Sequence, residues 1–149
     1  EMLKNPRVIG VKNSSMPVQD IQMWRDEGAV VFNGPDEQFV SGLAAGAIGG
    51  IGGTYAVMPE LYLRIWELFF AGKLEAARQV QNDCCRIIYK MCSAHGNMYA
   101  VIKEILRRNG GPDIGSVRAP LAPLAEGDGA VVDQSVAMIR EAIARHCGG

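Results

Sequence analysis

Lys12 closes the apolar run Arg7-Val8-Ile9-Gly10-Val11. A neutral lysine amine attacks a ketone and forms a Schiff base, and the cationic imine then withdraws electrons from a neighbouring C–C bond. Apolar surroundings favour that neutral form, whereas a lysine at an ordinary strand end is simply solvated. A second group of interest is Asn33-Gly34-Pro35-Asp36-Glu37, directly after another apolar run. Its adjacent carboxylates can accept hydrogen bonds from a polyol. The same residues also suit a turn with Asp36 as helix N-cap and acids in the first turn. Other chemistries lack their residues. The glycine segment Gly46 to Gly53 has no G-x-G-x-x-G spacing, and Gly72-Lys73 is followed by leucine, so nucleotide loops are unsupported. There is no C-x-x-C, and His95 and His146 have no companion ligands, so no metal site is expected; both histidines read as surface or capping residues. No Ser–His–Asp arrangement can be argued.

The elements that must position these groups alternate in type. Arg7–Val11, Ala29–Phe32 and Ala47–Ile51 read as short buried strands, and Met16–Glu27 and Glu37–Ala45 as the helices between them. Such alternation, at about twenty residues per unit, predicts a parallel βαβ sheet. A lysine at the C-terminal end of a parallel strand then faces the end where barrel enzymes do their chemistry. Beyond residue 58 the pattern is helical. Pro59–Ala71, Leu74–Ala94, Asn97–Arg108 and Val132–Arg145 carry apolar stripes, and Val117–Leu124, with two prolines, reads as a linker or extended strap. The expected division is a partial barrel over residues 1–72 and a helical C-terminal extension over 73–149.

Composition bounds the remaining choices. The 149 residues are 48% apolar and 21% charged with a net charge of −1, ordinary globular values that give no field for nucleic acid or anionic lipid. Phe39 to Met58 carries no charge, but its glycines make a poor membrane span, so a soluble, turn-rich segment is expected. Cys84-Cys85 is an awkward pair to bridge, and Cys85 and Cys92 fall at helical spacing as buried free thiols would. A reduced, cytoplasmic setting follows as the expectation.

In order along the chain, Val8-Ile9-Gly10-Val11-Lys12, Asn13-Ser14-Ser15 and Phe32-Asn33-Gly34-Pro35-Asp36-Glu37 form one set of motifs. Gly49-Gly50-Ile51-Gly52-Gly53-Thr54-Tyr55, Gln79-Val80-Gln81 and Val117-Arg118-Ala119-Pro120-Leu121 form a second. Together they resemble the C-terminal part of the pyruvate-dependent class I aldolase family that includes N-acetylneuraminate lyase and dihydrodipicolinate synthase. The resemblance covers nearly the whole chain. It implies an α/β fold, the last three strand–helix units of a (β/α)8 TIM barrel followed by a helical extension. A closed barrel of this kind takes about 250 residues, so the chain reads as about half of one, with an N-terminal half as its missing partner.

The Asn33-to-Glu37 and Ile51-to-Tyr55 blocks are similar to the sialic acid lyases of that family. The implied reaction is retro-aldol cleavage of N-acetylneuraminate to pyruvate and N-acetylmannosamine. By that likeness Lys12 forms the imine with pyruvate, with no other cofactor and no metal. Ser14 falls where a threonine usually stands near the substrate. Gly34, Asp36 and Glu37 would hold the hydroxylated tail, and Ile51 and Gly52 would line the imine pocket, with Gly53 beside them. Gly53 departs from a common substrate-contacting serine, and Ala56 from a frequent asparagine. Other implied substrates are 2-keto-3-deoxy sugar acids or those of a dihydrodipicolinate synthase, and a non-catalytic barrel fragment is a further alternative. The family's carboxylate-binding turn and proton-transfer tyrosine belong to its first half. Its members usually form homotetramers, so a homo-oligomer acting on a small 2-keto acid is the implied assembly.

Overall fold

The computed structural model describes residues 1–148. Three parallel strands, β1 (Gly10–Asn13), β2 (Val30–Asn33) and β3 (Gly49–Gly50), lie in the order β1-β2-β3. Gly10 pairs with Val30 and Asn13 with Asn33, while Asn33 also pairs with Gly50, so all three strands end on one row. Helix α1 (Gln19–Asp26) and a short 3-10 turn leading into α2 (Phe39–Ala44) make the two crossovers. The parallel α/β arrangement expected from the alternation is therefore present.

The strands are shorter than the sequence pattern suggested, and β1 is displaced toward its C-terminus. Residues 7–9 were expected in the first strand but lie outside β1, although the Ile9 carbonyl still accepts from Val30 N. Likewise, bonds from Ile48 N to the Val31 carbonyl and from Ile51 N to the Asn33 carbonyl extend pairing beyond the two-residue β3. Among the described residues only β2 has a neighbour on both sides, so strand ends that rely on a second partner do not form.

Residues alternate between the two sheet faces. Val11 and Val31 pack with Ile21, Ala29 and Ala47 under α1. Gly10, Lys12, Val30 and Phe32 border an open hollow of about 390 Å³ on the sheet. The larger core joins α3 (Pro59–Phe70), α4 (Leu74–Met91), α5 (Met98–Arg108) and α6 (Asp128–Cys147) to Phe39 and Leu43 of α2. That core runs across Gly72, whose φ of +73° ends α3 and turns the chain into α4. Helix α6 begins four residues earlier than its apolar stripe, at Asp128. The Asp128 carboxylate accepts from the backbone N–H groups of Ala125, His95 and Gly96, tying the start of α6 to the loop before α5.

The cysteine expectation is corrected. Cys84 is the buried thiol, whereas Cys85 is half-buried and Cys92 exposed. One helical step separates neighbours by about 100°, so adjacency to the core-facing Cys84 turns Cys85 toward the α4 edge. Burial pushes the Cys84 thiol well above the ordinary range. His95 is exposed beside Asp128, as a capping residue would be. His146 is largely buried, with Nε2 2.8 Å from Asp83 Oδ2. No helix among the described residues is long and apolar enough to cross a membrane.

Candidate functional site

The candidate residues gather at the C-terminal ends of the three strands. Lys12 lies within β1, in register with Phe32 of β2, which in turn pairs with Gly49 of β3. It is exposed, at the rim of the hollow lined by Ile9, Val30 and Phe32. Apolar side chains thus border the lysine on one side, with the other side open.

After β1 the chain bends beside the end of β2. Gly34 N donates to the Asn13 carbonyl at 2.8 Å. A Cβ on Gly34 would come 2.5 Å from Ser14 Oγ, so the absent side chain allows the two turns to touch. Asn13 Nδ2 donates to Ser15 Oγ at 3.0 Å, and Ser15 Oγ donates to Asp20 Oδ2 at 2.5 Å. The Ser14 segment is therefore pinned to α1.

Asp36 is the most constrained of the expected residues. Its side chain is buried, and Oδ2 accepts from Thr54 N at 2.9 Å and Thr54 Oγ1 at 2.6 Å. The same threonine hydroxyl lies 2.7 Å from Tyr62 Oη, so an aspartate, a threonine and a tyrosine form one buried chain. Oδ1 has no partner and is covered by Gly52, where any Cβ would overlap it. A buried carboxylate oxygen without a donor is costly, and the missing Cβ at Gly52 is what leaves it room. Burial pushes the Tyr62 phenol far above its ordinary range, with Cys84 adding to the effect, so Tyr62 stays a neutral hydrogen-bonding group. Tyr55 is raised for the same first reason, burial, reinforced by Asp36.

The turn carrying Asp36 and Glu37 is also held from α4. Gln81 Nε2 donates to the Asp36 carbonyl at 3.1 Å, and Gln81 Oε1 accepts from Val40 N at 3.0 Å. Cys85 Sγ donates to the Glu37 carbonyl at 3.3 Å. Glu37 itself is half-buried. The backbone of Ile51 is fixed by its N–H to the Asn33 carbonyl at 3.0 Å, while its side chain is exposed; Gly52 and Gly53 are half-buried.

The fold thus brings Ser14 against Gly34, and Asp36 against Gly52 and Thr54. The sequence reading missed Thr54, Tyr62 and Gln81 as supports. Gln81 belongs to the Gln79-Val80-Gln81 segment, but nothing in its spacing points to a turn forty-five residues earlier. Among the described residues, no group of three or more His, Cys, Asp or Glu side chains could hold a metal ion. The arrangement offers an amine over an apolar floor, with carboxylates and glycine turns at the same sheet end.

Residues 1–138 match the model of the dihydrodipicolinate synthetase family. The chain is 59% identical over 145 residues to an N-acetylneuraminate lyase of Mediterraneibacter gnavus, covering 95% of this chain and 46% of that protein. It is 31% identical over 144 residues to an N-acetylneuraminate lyase of Rhizobium meliloti, covering 93% and 46%. A solved structure of a catalytic lysine mutant of the Ruminococcus gnavus sialic acid aldolase superposes with a TM-score of 0.93 at 56% identity, over 97% of this chain and 48% of that one. The chain spans about half the length of the curated relatives it matches.

Proposed function

Given that the chain belongs to the dihydrodipicolinate synthetase family, we propose that it supplies the imine-forming half of a sialic acid lyase. In this reading β1 to β3 are the last three strands of a (β/α)8 barrel. Residues 1–72 contribute three strand–helix units and 73–149 the helical extension. An N-terminal set of strand–helix units closes the barrel against the open edges of β1 and β3. The complete enzyme works in the cytoplasm as a homotetramer.

Lys12 Nζ attacks the C2 carbonyl of N-acetylneuraminate, and loss of water gives a cationic imine. The C3–C4 bond then breaks as the C4 hydroxyl loses its proton. N-acetylmannosamine departs as the aldehyde, and the bonding pair moves into an enamine on the three-carbon fragment. Protonation of the enamine and hydrolysis of the imine release pyruvate and restore Lys12. No metal or cofactor enters this sequence. Ser14, Ile51 and Gly52 border the imine, while Gly34, Asp36, Glu37 and Gly53 face the hydroxylated tail.

The observation that carries this reading is the convergence of Lys12 and the Asp36 turn at one end of a parallel sheet, with Asp36 Oδ1 buried and unpartnered there. A catalytic lysine in the Ruminococcus gnavus aldolase supports the imine chemistry. The test joins this full chain to the N-terminal part of the Mediterraneibacter gnavus lyase and treats the product with pyruvate and borohydride. One reduced pyruvate on Lys12, lost in Lys12→Ala with the melting temperature unchanged, is the expected result. No adduct in the joined protein, or an adduct that persists in Lys12→Ala, overturns the reading.

A further inference from the structure

Gly53, on the turn that follows β3, has no side chain, and a ring from another element occupies that space. An ideal Cβ on Gly53 would lie 2.6 Å from Tyr99 Cε1, 3.3 Å from Tyr99 Cδ1 and 3.4 Å from Ile102 Cδ1. Both residues come from α5. The ring approaches by its edge with Cε1 nearer than Cδ1, so its hydroxyl-bearing end leans over the turn. Tyr99 is 47% exposed, so the ring is only partly covered by the fold.

The position of this ring is fixed by its backbone. Asn97 Oδ1 accepts from Tyr99 N at 2.9 Å, making Asn97 the N-cap of α5. Asn97 N donates to the Ala122 carbonyl at 2.9 Å, and Asp128 holds the preceding Gly96 N at 2.9 Å. A half-exposed ring on so restrained a turn is a rigid wall, and a tyrosine has few torsions to freeze when it binds.

We propose that Tyr99 is a specificity-determining residue that replaces, from α5, the side chain absent at Gly53. Its ring stands over the Gly52-Gly53 turn, and its hydroxyl exchanges a hydrogen bond with a hydroxyl on the tail of a polyhydroxylated 2-keto acid. The inference rests on the lyase reading, since it concerns the same pocket. Tyr99 and Gly53 are then a coupled pair: a serine at 53 collides with the ring, and removing the ring opens room for it.

The experiment uses the joined protein described above, with this chain complete. Tyr99→Phe keeps the ring and removes only the hydroxyl, so KM for N-acetylneuraminate should rise roughly fivefold, as for one neutral hydrogen bond, with kcat and pyruvate trapping unchanged. Gly53→Ser alone should weaken substrate binding more than Tyr99→Phe does. Combining Gly53→Ser with Tyr99→Ala should recover part of that loss. Unchanged KM in Tyr99→Phe, or additive losses in the double variant, overturns the role of Tyr99 while leaving the lyase reading standing. Failure of the unsubstituted joined protein to trap pyruvate overturns that reading and this inference with it.

Discussion

Thr54 shows how much of the site depends on one side chain. It is fully buried, and its hydroxyl bridges the Asp36 carboxylate and the Tyr62 phenol. Valine has nearly the same shape but no hydroxyl, so Thr54→Val keeps the packing and strips both bonds. The Asp36 Oδ2 atom retains only the Thr54 N–H, and Tyr62 loses its partner in a dry environment. A loss of about 2 kcal/mol in urea unfolding is expected, since each buried group left unpaired costs on the order of 1–3 kcal/mol. An unfolding midpoint equal to the parent's would mean that water already reaches this chain of bonds. Lys12→Ala should behave in the opposite way, because the exposed lysine contributes reactivity rather than packing. Lys12 and Asp36 were both legible from the sequence as residue types at the ends of apolar runs. The burial of Asp36 was not, because its partners Thr54 and Gln81 lie eighteen and forty-five residues away and are brought to it only by the fold.

Among the elements, the helices were more legible than the strands, for a physical reason. Helices α3, α4 and α5 carry their own hydrogen bonds and display a continuous apolar stripe, so their limits follow from local sequence. Strand limits depend on neighbours, and β1 and β3 each have one. The start of α6 escaped the sequence reading because Gly127-Asp128-Gly129 resembles a linker until His95 and Gly96 arrive beside it. Three backbone N–H donors, Ala125 foremost, hold the Asp128 carboxyl well below the usual carboxylate range. The folded form therefore resists protonation at this residue more than the unfolded chain does. Its stabilising contribution is complete above about pH 4, the unfolded aspartate range, and declines as the pH falls below it. Asp128→Asn should melt several degrees lower at pH 7, and the gap to the parent should narrow between pH 4 and pH 3. A gap that stays constant across that interval would remove Asp128 from the acid response.

At the level of the whole molecule, the sheet is the part least complete by itself. Strand β2 is bonded on both sides, whereas β1 and β3 each present an outer row of backbone groups. Leu63, Trp66 and Phe70 of α3 are exposed, and Leu63 and Trp66 help line a cleft of about 440 Å³ with Phe39, Gly49, Gly50, Tyr55 and Tyr62. Apolar surface beside an open strand edge calls for a covering layer. Amide exchange can test this directly, because an unpaired strand opens more readily than a central one. In the 149-residue chain alone, the β2 amides should exchange most slowly in the sheet and those of β1 and β3 at least about tenfold faster. Joining the N-terminal part of the Mediterraneibacter gnavus lyase should slow β1 and β3 together and protect the Trp66 indole from quenchers. Equal protection of all three strands in the isolated chain would mean that the edges are already covered by copies of the chain itself. The concentration dependence of that protection would then identify such self-association, and the barrel-closing role of the added half would fall.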